Sequence, residues 1–144
     1  MGLFRRKKRA AAVEPLADDG TLHSVGRAES VEAGDGAAVA DIAASGVDLE
    51  QPVLLRHVLL VHNPAAAEAL AAAVTADGYD VKLDTSDGGW TWIVTARETV
   101  LLTAVHAARA RARFTSLASR HSAEYEGLEA AAPYRSVPAD LRFR

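Results

Sequence analysis

Histidines have the most versatile chemistry in this sequence, because an imidazole can bind a metal ion or exchange a proton near neutral pH. His57 and His62 lie five positions apart in the apolar segment VLLRHVLLVHN. In a strand, this spacing places the two rings on opposite faces, so they cannot share an ion. His106 and His121 lie about four turns apart on one predicted helix, too far to chelate together. We therefore predict no metal site and interpret His57 as a hydrogen-bonded histidine of the core.

Carboxylates perform acid–base catalysis only when the fold brings them into a shared cleft. Asp41, Asp48 and Glu50 lie in and beside the segment DIAASGVDLEQP, where charged side chains are usually solvated. The GxSxG motif of a nucleophile elbow is absent, and so is a phosphate-binding glycine loop. The sequence has no cysteine, which excludes thiolate chemistry and disulfides. These observations predict a protein that is not an enzyme and uses no cofactor.

Aromatic and basic residues offer a different chemistry, the binding of RNA. Trp90 and Trp92 lie two positions apart on a predicted strand, where exposed rings would stack with bases. Arg109, Arg113 and Arg120 share one stripe of the last predicted helix and would contact phosphates. Period-two alternation permits either face of the sheet for the tryptophans, although the size of the Trp92 ring favours its burial.

The elements that must position these residues follow from apolar periodicity and from end signals. VLLRHVLLV (53–61) predicts an interior strand, and Asn63, Pro64 and Gly78 are typical of the start and end of a helix between them. The segments YDVKLD and WTWIVTA, joined by the turn TSDGG, predict a hairpin. A helix over residues 98–121 and a short strand, SAEYEG, complete the pattern. A further short helix is predicted over residues 36–46.

This order of elements predicts an α+β fold, a ferredoxin-like βαββαβ two-layer sandwich with two helices on one side of a four-stranded antiparallel sheet. We place the domain at residues 37–128. Residues 1–36 start with the basic segment FRRKKR and continue with acidic residues, and their few large apolar side chains predict a disordered tail. Residues 129–144 contain Pro133 and Pro138 and predict an extended C-terminal tail.

The charge balance and the hydropathy limit the possible partners. The formal net charge is −3, so no global basic field attracts nucleic acid. The basic start is followed by a segment too short and too acidic for a signal peptide, and no apolar run approaches the roughly 18 residues of a membrane span. We expect a cytoplasmic protein without integral membrane association.

Several short motifs, in order and spacing, resemble the regulator of ribonuclease activity B family. The similar positions, over about residues 38–128, are the Gly-Val-Asp step at 46–48, His57 in its apolar strand, Gly78 and Tyr79 after a helix, and the Glu-Tyr-Glu-Gly strand at 124–127. The resemblance implies a ferredoxin-like, non-enzymatic protein that binds and inhibits an endoribonuclease of the ribonuclease E type. Our hypothesis is that Asp48, Glu50, Glu124 and Glu126 face basic patches on this partner.

Two other functions remain open from the residues alone. One is an RNA-binding module that uses Trp90, Trp92 and the arginine stripe. The other is a small-molecule sensor of the ACT type, which shares the βαββαβ order of elements but for which the sequence shows no ligand signal.

Overall fold

Five strands and three α-helices make up the part of the chain that the computed structural model describes, which is residues 15–29 and 35–133. A short 3-10 helix, Asp87–Gly89, lies between the third and fourth strands. The elements are β1 (Leu22–Glu29), α1 (Asp35–Ala44), β2 (Val53–Val61), α2 (Pro64–Ala76), β3 (Asp80–Thr85), β4 (Trp92–Val100), α3 (Ala104–Arg120) and β5 (Ala123–Pro133).

The strands form one antiparallel sheet in the order β1-β5-β2-β4-β3. The α+β class predicted from the sequence is confirmed, but the sheet has five strands instead of four. All three helices pack on one face of it, because their buried side chains belong to two core clusters that include alternate residues of the same strand, Val53, Leu55, Leu59 and Val61 of β2. We call this side the helix face and the other side the open face, because no helix of the described residues covers it.

The central strand, β2, has six buried and three half-buried residues, in agreement with its continuous apolar sequence. The predicted signals around α2 are also present. The Asn63 side chain accepts a hydrogen bond from the amide of Ala66 at 3.0 Å, and Pro64 occupies the first turn. Gly78 follows the helix with φ 100°, a left-handed conformation that glycine adopts without a steric cost.

The helix predicted over residues 98–121 is shorter in the structure. The α3 helix begins at Ala104, after Thr103, whose hydroxyl accepts from the His106 amide at 3.0 Å. Glu98 therefore lies in β4 and not in a helix, because β4 continues to Val100 in register with β2. An apolar stripe of α3, which includes Ala107, Ala110, Phe114 and Leu117, is buried, and Phe114 is fully enclosed in the core.

The two segments predicted as tails contribute strands to the sheet. Residues 22–29, within the predicted disordered tail, form β1, and residues 129–133 continue β5 instead of starting an extended tail. Small residues explain the difference: Ala130, Ala131 and Ala132 are fully buried, and Gly26 approaches Ile42 closely. Alanine and glycine give little hydrophobic signal, yet they permit close packing against a helix. The basic segment FRRKKR lies outside the described residues.

The free edges of the sheet are β1 and β3. In β3, the side chains of Asp80, Lys82 and Asp84 project from the open face, and all three are exposed. In β1, the register with β5 shifts between Ser24 and Gly26, which marks a β-bulge or a similar irregularity. Within the described ranges, none of the helices combines the length and the apolar character needed to cross a bilayer.

Candidate functional site

A row of charged side chains crosses the open face from one edge of the sheet to the other. The strand register places its members next to each other, and we call them the charged row: Arg27, Glu129, Arg56, Arg97 and Asp80. Neighbouring ion pairs follow this order. Arg27 lies 3.8 Å from Glu129, Glu129 lies 3.1 Å from Arg56, and Arg97 lies 2.8 Å from Asp80. The signs alternate except in the middle, where two arginines are direct cross-strand neighbours.

Asp18 compensates for the two adjacent positive charges. Its carboxylate accepts hydrogen bonds from Nε of Arg56 at 3.0 Å and from Nη2 of Arg56 at 2.5 Å, and it lies 3.6 Å from Nη1 of Arg97. The hydrogen bonds from Arg56 hold the pKa of Asp18 below its ordinary value, although partial burial opposes them. The backbone amide of Leu16 donates to the hydroxyl of Thr99 at 2.9 Å. Residues 15–21 therefore form a strap across this part of the open face.

A second polar group lies on the helix face, below α3. Nε2 of His57 and Nε2 of His106 lie 2.8 and 3.0 Å from the same oxygen of Glu98, Oε2. Nδ1 of His57 lies 3.1 Å from the hydroxyl of Tyr125, and its ring stacks on Phe114 with the centroids 4.4 Å apart. We call His57, Glu98 and His106 the His–Glu–His cluster. The prediction of a buried, hydrogen-bonded His57 is confirmed, because its exposed fraction is 0%.

The electrostatics of this cluster keep Glu98 ionised. Burial raises the pKa of its carboxyl, but hydrogen bonds from His106 and His57 outweigh burial and lower the pKa to about 2. The hydrogen bond between His106 and Glu98 also raises the pKa of His106. Burial, helped by the charge of Glu98, raises the pKa of Tyr79 to about 12. An acid that stays ionised across the neutral range cannot donate a proton there, so Glu98 is not arranged for general acid catalysis.

Access and geometry also separate the cluster from a reaction centre. A substrate cannot reach the enclosed ring of His57, whose partners on both nitrogens are protein side chains. No group of three or more histidine, aspartate or glutamate side chains among residues 15–29 and 35–133 is arranged to hold a metal ion. The arrangement joins β2, β4 and α3 through charge-assisted hydrogen bonds, which is a structural role.

The four acids selected as partner contacts lie in two separate places. Asp48 and Glu50 occupy the loop before β2, where the Asp48 carboxylate accepts from the Glu50 amide at 2.9 Å. Glu124 pairs with Leu60, near the other end of β2, and is exposed together with Glu126. Because a strand rises about 3.3 Å per residue, the two pairs are on the order of 20 Å apart. The structure therefore does not bring the four acids together.

The two tryptophans do not form a stacking pair. Trp90 lies in the turn before β4 and is 80% exposed, whereas Trp92 starts β4 and packs against the core. The arginines of the stripe also differ from each other. Nε of Arg113 donates to Asp77 at 2.7 Å, while Arg109 and Arg120 are exposed on α3. Only Trp90 presents an open ring for stacking among the residues selected for RNA contact.

Sequence reasoning missed the residues that the structure brings together: Glu98, His106 in its bonded role, Asp18 and Arg97. Glu98 was missed because its segment was assigned to a helix. A signal was present in the two-residue alternation of a strand. In TARETV (95–100) it places Ala96, Glu98 and Val100 on the same face of the sheet as His57, which pairs with Ala96. Asp18 gave no signal, because nothing local to the acidic segment indicates which strand it contacts.

The family model described as regulator of ribonuclease activity B matches residues 32–130, which is most of the chain and includes α1 through most of β5. No curated protein and no solved structure matched the chain.

Proposed function

Because the chain belongs to the regulator of ribonuclease activity B family, we propose that it binds an endoribonuclease of the ribonuclease E type and inhibits its cleavage of RNA. The observation that carries this proposal is the family match over residues 32–130. The family regulates ribonuclease activity, and the chain therefore acts in RNA degradation. We place this action in the cytoplasm.

The mechanism that we propose is occupancy of a surface on the ribonuclease, without a chemical step by the regulator. The enclosure of His57 and the low pKa of Glu98 support a non-enzymatic role, because neither group offers a reactive atom to a substrate at neutral pH. We also propose that β2 to β5 with α2 and α3 form a ferredoxin-like unit, extended by β1 and α1. The sheet order β5-β2-β4-β3 supports this assignment.

We propose that the four selected acids contact basic patches of the ribonuclease at two points; three of them are exposed and Asp48 is half-buried. Glu124 and Glu126 would form one point and Asp48 with Glu50 the other, about 20 Å away along β2. Exposed charges of this kind mainly increase the association rate and make it sensitive to salt. Two contact points at this separation require a partner surface of ordinary size, about 800 Å² on each side.

The test uses the purified full-length chain with a ribonuclease E-type enzyme and a labelled RNA substrate. We expect the chain to bind the enzyme and to lower the cleavage rate, with no change in the RNA when the enzyme is omitted. The double variant E124K/E126K should lower the association rate at least about tenfold at low salt. The variant E68K, on the exposed surface of α2, is the matched control. Normal cleavage in the presence of saturating chain would refute the proposal.

The exposed ring of Trp90 favours a second candidate, direct RNA binding at the end of the sheet where β4 begins. Tryptophan fluorescence during a titration with short single-stranded RNA tests it. Quenching that disappears in the variant W90F and weakens with salt would support RNA contact. An unchanged tryptophan emission would contradict direct RNA binding and favour binding to the ribonuclease. A small-molecule sensor of the ACT type has no such supporting observation among the described residues.

A further inference from the structure

We propose that Arg56 and Arg97 form a carboxylate-binding site for an acidic segment of a partner protein, and that Asp18 occupies this site within the chain. The proposed site is defined by its own chemistry and does not require the partner to be a ribonuclease. Failure of ribonuclease binding and failure of this site are therefore separate results.

The charged row shows why an anion is needed at this position. Arg56 and Arg97 are directly opposite each other on adjacent strands, and like charges in such pairs are destabilising. Glu129 neutralises Arg56 from one side and Asp80 neutralises Arg97 from the other. The midpoint between the arginines still lacks a negative charge, and the sheet itself supplies none there. Asp18 comes from outside the sheet to fill this position.

The geometry is that of a receptor which recognises a carboxylate. Arg56 binds Asp18 through Nε and one Nη, the two-pronged arrangement that arginine uses for carboxylates. Arg97 contributes less, since its Nη1 lies 3.6 Å from the carboxylate. Its Nε is buried and has no hydrogen-bond partner in the protein. A carboxylate that lies deeper or turns toward β4 would satisfy this donor as well, so Asp18 does not use the full capacity of the site.

Among the described residues, the strap is held on the sheet by Asp18 and by the hydrogen bond from the Leu16 amide to the hydroxyl of Thr99. Asp19, the next acid, accepts from the amide and the hydroxyl of Thr21, which both lie within the strap. Below the strap lies a cavity of about 450 Å³, lined by Leu54 among others. A segment without regular structure over a cavity of this size can be exchanged for a similar segment of another chain.

The strap also indicates the class of segment that fits. Leu16 and Asp18 are two positions apart, and both line the cavity. The expected ligand is therefore an extended peptide with an apolar residue two positions before an acid. The row also carries Glu129 and Asp80, so a polyanion such as RNA would meet repulsion on either side of the arginines, whereas a single carboxylate would not.

The experiment measures binding of a fluorescent peptide with the sequence of residues 15–21, PLADDGT, to the full-length chain by anisotropy. In the wild-type chain, Asp18 competes at the high effective concentration of a tethered group. The variant D18N removes this competitor and should bind the peptide at least about tenfold more tightly. The variant D19N is the matched control and should behave as wild type. A peptide with asparagine at the position of Asp18 should not bind.

Further variants separate the site from a general loosening of the fold. D18N/R97Q should lose the gain in peptide affinity while its circular dichroism spectrum stays native. T99V releases the other anchor of the strap without touching the arginines, and it should also increase peptide affinity. Equal affinity of wild type, D18N and T99V for the peptide would overturn the proposal. Tighter binding of D18N to single-stranded RNA than to the peptide would also overturn it, because the site would then be one for phosphate.

Discussion

Replacement of Glu98 by glutamine tests the reasoning about the His–Glu–His cluster directly. Glutamine has nearly the same shape, and its carbonyl oxygen can take the place of Oε2, which accepts from both His57 and His106. The substitution removes the negative charge in a site where the glutamate side chain is only 15% exposed. Hydrogen bonds to a charged acceptor are about twice as strong as neutral ones, so we expect a clear loss of stability.

The magnitude follows from the pKa of Glu98. Its ordinary value is 4.5 and its value in the folded chain is about 2, a difference that corresponds to about 3 kcal/mol. The lowered pKa means that this stabilisation is complete above pH 4.5 and is lost as the pH falls through about 2. The raised pKa of His106 means that its share is complete below pH 6.5 and is lost as the pH rises through the folded value. The pKa shifts of Glu98 and His106 report the same interaction between these two residues, so their stabilising free energies are not added.

Urea unfolding from pH 2 to pH 9 measures this prediction. We expect the E98Q chain to be about 2–3 kcal/mol less stable than wild type between pH 4.5 and pH 6.5, with a flatter pH profile on both sides. An NMR titration of the His106 ring should show its pKa closer to the ordinary value. E68Q, an exposed substitution of the same type, should stay within about 0.5 kcal/mol of wild type. Equal stability and equal pH profiles of E98Q and wild type would refute the assignment.

The remaining predictions concern packing and capping, and urea unfolding measures each of them. F114A removes a ring that is fully buried between the layers and should cost about 3–5 kcal/mol, whereas V105A, at a position that is 59% exposed, should cost less than about 0.5 kcal/mol. N63A removes the cap of α2 and should cost about 1 kcal/mol; a neutral result would contradict the cap. G26A places a methyl group 2.5 Å from Cγ1 of Ile42 and should cost about 1–3 kcal/mol. The same substitution should cost less in an I42A background, which lacks Cγ1, and an equal cost in both backgrounds would contradict this contact.

The parts of the fold that were predictable are those with strong local signals. The apolar run of β2, the cap and stop of α2 and the stripe of α3 each follow from side-chain periodicity, and each is present. The strand β1 and the second half of β5 were not predictable, because alanine and glycine hold them together. Such residues are buried through the approach of other elements, and that approach depends on tertiary contacts and not on the local sequence.

The site was less predictable than the fold. Burial and hydrogen bonding of His57 followed from its position between Leu55 and Leu59 in an apolar strand, and both are confirmed. Its partner Glu98 required the end of β4 to be known, and strand ends are the least reliable boundaries in a sequence. The contact between Asp18 and Arg56 joins residues 38 positions apart. Nothing in the local pattern of either segment connects them.

The margins of the sheet have a consequence for how copies of this protein behave in concentrated solution. Along β3, three charged side chains border the unpaired backbone groups, and β1 is irregular at Gly26. Strand-to-strand joining of two molecules needs a long, regular and uncharged margin, and neither side offers one. Aggregation by this route is therefore disfavoured, and side chains on the surfaces of the two layers offer a partner more to recognise than the backbone of either described edge strand.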